Sequence, residues 1–483
     1  MNTSPHPAPS SILACALAAS LMAACASSAV APAPLDPAAS LSAYAARTLD
    51  DPALRAFLRA QGRSPATWPL RQWALDDLAL AALHFHGDYH LALARQQAVV
   101  REAERDLQPP NPQLAVKAEH SNDPEVRRPW SLGLELAFPV RSAAAHSARG
   151  ALATLRNERA AVEVTDTAWR LRAAVRDRLL DLAQAEEDAR LAAREHRLAA
   201  AEQTLLHRRA EVGAVSQAEA LAAAVRTGDA AARLARAGAR ATQTRIELAD
   251  AIGIAPDATR NLTAVAGIAA QTADPALHAT LADFQQEALQ QRQDIRAGLI
   301  DYAESEALVQ IEATAGQDRQ WTPGYKWDKG ANVWSIGLAL VLPLLHDNTA
   351  RVAAAASQRD VARRRFEATQ AHAVAQINAA WSDWGVQRRA HDAARAAHDA
   401  AELHFARERR RYEASMIDRL EVTRSERALV TAGRTLLGAR YELQRAWARA
   451  EDAARRPLGD PARAPGATFV DPSAIAAIAA DGP

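Results

Sequence analysis

Thiols are almost missing from this chain. Of its 483 residues only Cys15 and Cys25 are cysteine, both within the first 25 positions. Beyond them no disulfide, thiolate metal site or cysteine nucleophile can form. Neither sign of charge dominates either. Lysine plus arginine number 57 and aspartate plus glutamate number 57, a balance that argues against a nucleic-acid partner. Lysine itself occurs only at Lys117, Lys326 and Lys329, and aromatic residues make up 5 % of the chain. No apolar run after the leader approaches the roughly 18 residues of a membrane-spanning helix. Walker-type phosphate loops, G-x-S-x-G elbows and H-E-x-x-H helices are all lacking, so we expect neither an enzyme nor a cofactor. Proline is absent between Pro139 and Pro256 and again between Pro343 and Pro457, which leaves room for very long helices. What fills those stretches is Ala, Arg, Leu and Glu, residues that lose little entropy in a helix.

The first 25 residues read as a secretory leader. An apolar run from Ser11 to Ala24 closes on Leu21-Met22-Ala23-Ala24-Cys25, a lipoprotein-type box in which Cys25 would be acylated. The rest of the chain is a tandem duplication. Trp130-Ser131-Leu132-Gly133-Leu134 recurs as Trp334-Ser335-Ile336-Gly337-Leu338, and both runs continue into a proline, Pro139 and Pro343. Ala82-Leu83 with Asp88 matches Ala288-Leu289 with Asp294, and Gly253 matches Gly459. These landmarks divide the chain into a leader (1–25), an N-terminal extended segment (26–70), a first repeat (71–253), a linker (254–280), a second repeat (281–459) and a tail (460–483).

Each repeat has the same plan. A helix is expected over Trp73 to Leu107 and over Leu281 to Glu312. A strand pair follows, Gln113 to His120 with Trp130 to Phe138, then Gly324 to Trp327 with Val333 to Leu342 around the turn Asp328-Lys329-Gly330. Leu132, Leu134, Leu136 and Phe138 alternate with small or polar residues, as in a strand with lipid on one side and water on the other. A long helical hairpin completes each repeat, turning at Gly213 and at Ala414-Ser415, with helices of about 50 residues spanning roughly 75 Å. Leu191, Leu198 and Leu205 fall at heptad spacing, as coiled-coil packing requires. Acids such as Glu186-Glu187-Asp188 read as solvated faces.

In this order the motifs resemble the TolC-type outer-membrane efflux proteins, including their metal-exporting subfamily. Trp73-Ala74-Leu75 is similar to the family's opening helix, Pro110-Asn111-Pro112-Gln113-Leu114 to its lead into the first strand, and Pro323-Gly324-Tyr325 to its second hairpin. Arg411-Tyr412-Glu413-Ala414-Ser415 through Val422 is similar to its second helical turn, and Gly213-Ala214-Val215-Ser216 to the first. The chain departs from the family pattern at His86-Gly87, where Asn-Pro is usual, and at Arg141-Ser142-Ala143, where the metal exporters carry an acidic, glycine-rich segment.

The resemblance implies a mainly helical chain with a small β part. Three chains would share a twelve-stranded barrel in the outer membrane above an α-helical tunnel crossing the periplasm. It implies a homotrimer, lipid-anchored in the outer membrane, that works passively with a periplasmic adaptor and an inner-membrane pump of the resistance–nodulation–division class. The other reading is a periplasmic coiled-coil scaffold or adaptor without a barrel. By resemblance the channel narrows at its periplasmic tip, where Asp418 and Glu219 are candidate gate residues and Arg411 and Arg419 candidate salt-bridge partners. His86 and His90, four residues apart, have a spacing compatible with one metal. No third ligand stands near them, so no metal site is expected.

Overall fold

In a computed structural model, the structure describes residues 32–63, 67–70, 72–122, 125, 130–260, 262, 280–316, 318–328, 330–341 and 348–458. Cys25, the leader, Gly459 and the tail lie outside the described residues, as does most of the linker. The chain divides into two compact units, Met1–Ala46 and Arg47–Pro483. In the first, Asp36 caps helix α1 (Pro37–Ala45), its carboxylate accepting from the N–H groups of Ala38 and Ala39.

The second unit opens with α2 (Pro52–Ala60), capped by Asp51. The segment expected to be extended therefore holds two short helices. Both begin at an Asp-Pro pair, which joins a capping carboxylate to a proline at the first helical position. Residues Leu54, Phe57 and Leu58 bury one face of α2 in the main core. The first repeat then runs α3 (Leu75–Phe85), α4 (Gly87–Leu107), β1 (Gln113–His120), β2 (Trp130–Val140), α5 (Ala143–Glu211) and α6 (Gln217–Ile252). The second runs α7 (Leu281–Gln291), α8 (Gln293–Thr314), β3 (Arg319–Asp328), β4 (Ala331–Leu340), α9 (Thr349–Glu413) and α10 (Arg419–Ala454).

The duplication is visible in the backbone. The single opening helix expected in each repeat is two helices, broken at His86 (φ −77°, ψ 129°) and at Arg292 (φ −71°, ψ 123°). Each break meets the far end of its own repeat's last helix. Gly253, at φ +84°, closes α6 so tightly against His86 that an added Cβ would lie 2.9 Å from the His86 Cα. In the second repeat Arg292 donates to the carbonyl of Ala453, two residues before the left-handed residue Arg455 (φ 55°) that ends α10. Arg455, rather than Gly459, is thus the counterpart of Gly253.

Hairpin arms differ in length. Helices α5 and α9 have 69 and 65 residues, whereas α6 and α10 have 36 each. At 1.5 Å per residue α5 is about 100 Å long and α6 about 54 Å. The arms are unequal because each turn falls well past the middle of its proline-free stretch. The surplus of α5 packs instead on α3, α4 and α8. Both turns use a left-handed residue, Gly213 (φ 75°) and Ser415 (φ 61°). The next amide reaches back to the helix in each case, Ala214 N–H to the Arg209 carbonyl and Met416 N–H to that of Arg411, both at 2.8 Å.

The coiled-coil seam is shifted by one residue from the expected leucines. Leu191, Leu198 and Leu205 are half-buried, while Ala185, Ala192, Ala199 and Leu206 are buried, seven apart. Opposite them on α6 stand Ala223, Ala230, Ala237 and Thr244, also seven apart. Small residues on both sides let two long backbones approach closely, and the leucines flank that contact. Helix α10 joins the repeats by packing Leu437 and Tyr441 on Leu180 of α5. The largest core lies around α3, where Leu78, Leu83 and Phe85 meet Leu171, Val175 and Leu179 of α5 and Leu248 and Ile252 of α6.

Candidate functional site: a strand wall and a helical tip

The four strands form one antiparallel sheet in the order β1-β2-β3-β4, so β1 and β4 are open edges. Its register sorts the side chains cleanly. Leu114 pairs with Leu136, Val116 with Leu134, Leu134 with Tyr325, Phe138 with Trp321, Pro323 with Ile336 and Tyr325 with Trp334. All of these share one face, and it is bare: Ile336 is 77 % exposed and Trp334 80 %. On the opposite face Lys117 pairs with Glu135 at 3.0 Å, Lys326 with Glu119 at 2.9 Å, and Ser131 donates to Asp328. Lys326 and Lys117 both pair in register with Gly133.

Strand β3 begins five residues before the expected Gly324. It passes through Pro323, and the β2–β3 ladder skips Thr322 and Pro323 because proline has no N–H to donate. Aromatic residues mark both ends of the apolar face: His120, Trp130, Tyr325, Trp327 and Trp334 near the hairpin turns, Phe138 and Trp321 toward the helices. Ten-residue strands cover about 33 Å, which a tilt near 40° reduces to about 25 Å, the height of the apolar band of an outer-membrane barrel.

At the other end, Asp418 caps α10, accepting from the N–H groups of Leu420 (2.7 Å) and Glu421 (3.1 Å). Arg209 of α5 donates to its second oxygen at 2.8 Å. That bond, with help from the two amides, holds the Asp418 carboxyl below its ordinary value. Glu219 sits in the first turn of α6 and accepts from Arg424 of α10 at 3.1 Å. Both acids are therefore held by arginines, though not by the expected ones. Arg411 pairs with Glu408 within its own helix at 3.0 Å, and the exposed Arg419 makes no ion pair among the described residues. The true partners cross between repeats because α10 packs against α5 rather than only against α9.

Sequence reasoning missed the centre of this network. Glu202 of α5, its side chain 3 % exposed, meets Arg226 of α6 at 3.2 Å, Arg427 of α10 in a short contact, and Arg424 at 3.6 Å. Nor are Glu186, Glu187 and Asp188 a solvated face. They pair with Arg245, Arg440 and Arg434 on neighbouring helices. Tyr441 also donates to Glu187, and burial beside that carboxylate pushes its hydroxyl up to about 12.

His86 and His90 do not converge. His86 Nδ1 accepts from the N–H of Asp88 as the cap of α4, and His90 Nε2 donates to the carbonyl of His84 at 2.8 Å. The sheet, oily on one face and charged on the other, is thus carried on a helix of about 100 Å.

Residues 277–453 match the model of the outer membrane efflux protein family. Over that span the chain is similar to outer membrane efflux proteins. The match falls on α7 to α10, and the backbone equivalences described above extend the same plan to the first half. No curated protein sequence matches the chain. Among solved structures, the outer-membrane channel OprN has a TM-score of 0.62 at 18 % identity, covering 89 % of this chain and 100 % of its own. CmeC, the Campylobacter jejuni outer membrane channel, has a TM-score of 0.62 at 14 % identity, covering 92 % and 98 %. The outer membrane protein VceC from Vibrio cholerae has a TM-score of 0.62 at 17 % identity, covering 80 % and 96 %. This chain shares their fold over nearly their whole length.

Proposed function

We propose that this protein is the outer-membrane exit channel of a tripartite efflux system, a homotrimer that carries solutes passively from an inner-membrane pump to the outside. The observation that carries this reading is the sheet: four strands with two open edges, apolar on one face and charged on the other. In lipid each unpaired edge group costs several kcal/mol, so such a sheet must close on other copies. Three copies of four strands make a twelve-stranded barrel with the lysine–carboxylate pairs facing the lumen. Only 5 of the 65 residues of α9 are buried, against 22 of 69 in α5, which leaves α9 a long face for a neighbouring copy. The helical tip offers Asp418 and Glu219 as gate residues and a docking end for a periplasmic adaptor, with a pump of the resistance–nodulation–division class as the energy source. Acylation of Cys25 would add a lipid anchor in the outer membrane, and Cys25→Ser should abolish lipid labelling without affecting folding.

The test is the mass of the particle extracted from outer membranes in mild detergent, followed by its conductance in a planar bilayer. A particle of about three chains that conducts supports the channel. Protein found only in the soluble periplasm, or extracted as a non-conducting monomer, would replace it with the coiled-coil scaffold.

A further inference from the structure

Where α5 leaves the sheet, a groove of about 730 Å³ opens between α4, α5 and α8. Its position follows from the connections. Arg141 stands directly after β2, Asp106 lies seven residues before β1, and both line the groove. The floor is apolar, with Leu152 and Ala153 buried. Its arginines are not equivalent. Arg105 pairs with Asp106 at 2.9 Å, and Arg159, lower on α5, with Asp301 at 2.9 Å. Arg141 gives its protons to the main-chain carbonyls of Asp106 and Gln108 and makes no ion pair among the described residues, the nearby Asp318 carboxylate accepting instead from the N–H of Ser142. Arg149 makes no ion pair among the described residues, and its Nη1 is buried without a hydrogen-bond partner. A buried guanidinium nitrogen left unpaired costs free energy that an anion would recover.

The acids of the groove do not answer this charge. Glu163 and Glu304 lie toward the end remote from the sheet, Glu163 facing Arg95 at 3.6 Å, while Glu102 is exposed on α4. Burial, and then the nearby Asp301, push the Glu304 carboxyl above its ordinary value.

Resting on the outer-membrane reading above, we infer that the sheet-proximal end of this groove binds the phosphate of an anionic phospholipid, held by Arg149 and Arg141. Its acyl chains continue onto the apolar face of the sheet, where Leu114 and Val140 are exposed at the strand ends nearest the groove. An apolar floor under two guanidiniums that make no ion pair suits an amphiphile better than a hydrated free phosphate. Arg141 stands at the strand end and Arg149 about 9 Å further along α5, within the depth that headgroups of the periplasmic leaflet would occupy.

The experiment is native mass spectrometry of the full-length particle in detergent, titrated with phosphatidylglycerol, phosphatidylcholine or inorganic phosphate. We expect phosphatidylglycerol to be retained in preference to phosphatidylcholine. That preference should drop about fivefold in Arg149→Gln, drop further when Arg141→Gln is added, and survive largely intact in Arg149→Lys. Equal retention of the two lipids by the wild type, or an unchanged preference in the double variant, overturns the site. Displacement of phosphatidylglycerol by millimolar inorganic phosphate would assign it to a free anion and overturn the lipid. Heat-modifiable gel migration checks barrel assembly in every variant. A wild type that never assembles sinks the channel reading itself, whereas an assembled wild type with no lipid preference sinks only this site.

Discussion

Replacing Glu202 with Gln should loosen the helical tip while leaving the strands alone. Gln keeps the size of the side chain and removes its charge. Breaking a fully buried ion pair by neutralising one partner costs about 3–5 kcal/mol. Here the carboxylate is buried, but its three arginines are not. Arg226, Arg427 and Arg424 have side chains 38 %, 31 % and 40 % exposed, so they can recover water when Glu202 is neutralised. We therefore expect a loss of about 2 kcal/mol, confined to the place where α5, α6 and α10 meet. Local opening is read by amide hydrogen exchange, and 2 kcal/mol corresponds to about 30-fold faster exchange. The affected amides should fall within 199–206, 223–230 and 420–430. Arg226→Gln should have a smaller effect, because Glu202 keeps its bond to Arg427. Exchange that stays within about twofold of wild type would refute the reasoning, as would an increase of equal size in the strands.

Three further outcomes follow from the structure. Ile336→Arg puts a charge on the apolar face and should cost about 2–4 kcal/mol of barrel stability, whereas Ser335→Arg, one residue away on the polar face, should assemble normally; heat-modifiable gel migration separates the two. Gly253→Ala meets both a positive φ and the His86 backbone, so it should cost about 3 kcal/mol in thermal unfolding of the helical region. Asp418 has a folded pKa below its ordinary 3.8, so its contribution is complete above that value and is lost as pH falls through the lowered one. Amide protection at the start of α10 should accordingly be flat from about pH 8 to 5 and fall below about 4. Asp418→Ala should lower it by about 1 kcal/mol across that plateau and remove the acid dependence, so that the two proteins converge in acid; on the proposed channel reading it should also change the conductance.

Much of this was legible before the fold was known, for identifiable reasons. The strands could be read because a sheet between lipid and water must alternate with period two, and Leu132 to Phe138 do so without exception. The turns could be read because a left-handed residue is needed at each, and Gly213 advertises it; Ser415 is found only through its counterpart. The true length of β3 was hidden by Pro323, which ends a strand in most contexts but here only leaves a gap in one ladder. Arg411 and Arg419, the partners expected for the tip acids, do not pair with Asp418 in this chain: Arg411 bonds Glu408 of its own helix. The equivalent residue of the other repeat, Arg209, is the one that reaches Asp418.

The seam and the charge network were hidden by a common cause. Alanine gives little contrast against its neighbours, so the eye follows Leu191, Leu198 and Leu205 instead of the buried alanines beside them. Helices in a hairpin only two or three thick have no deep interior, and acids near their contacts look like surface. Yet Asp181, Asp188, Glu195 and Glu202 are themselves seven apart. Each meets an arginine from α10, and Glu195 and Glu202 also meet Arg233 and Arg226 from α6. A solvated face accepts acids at any phase of the helix. Acids locked to one phase, beside alanines locked to another, mark a junction between helices. That period was in the sequence, and it identifies Glu202 as the most buried rung of a ladder whose other side is arginine.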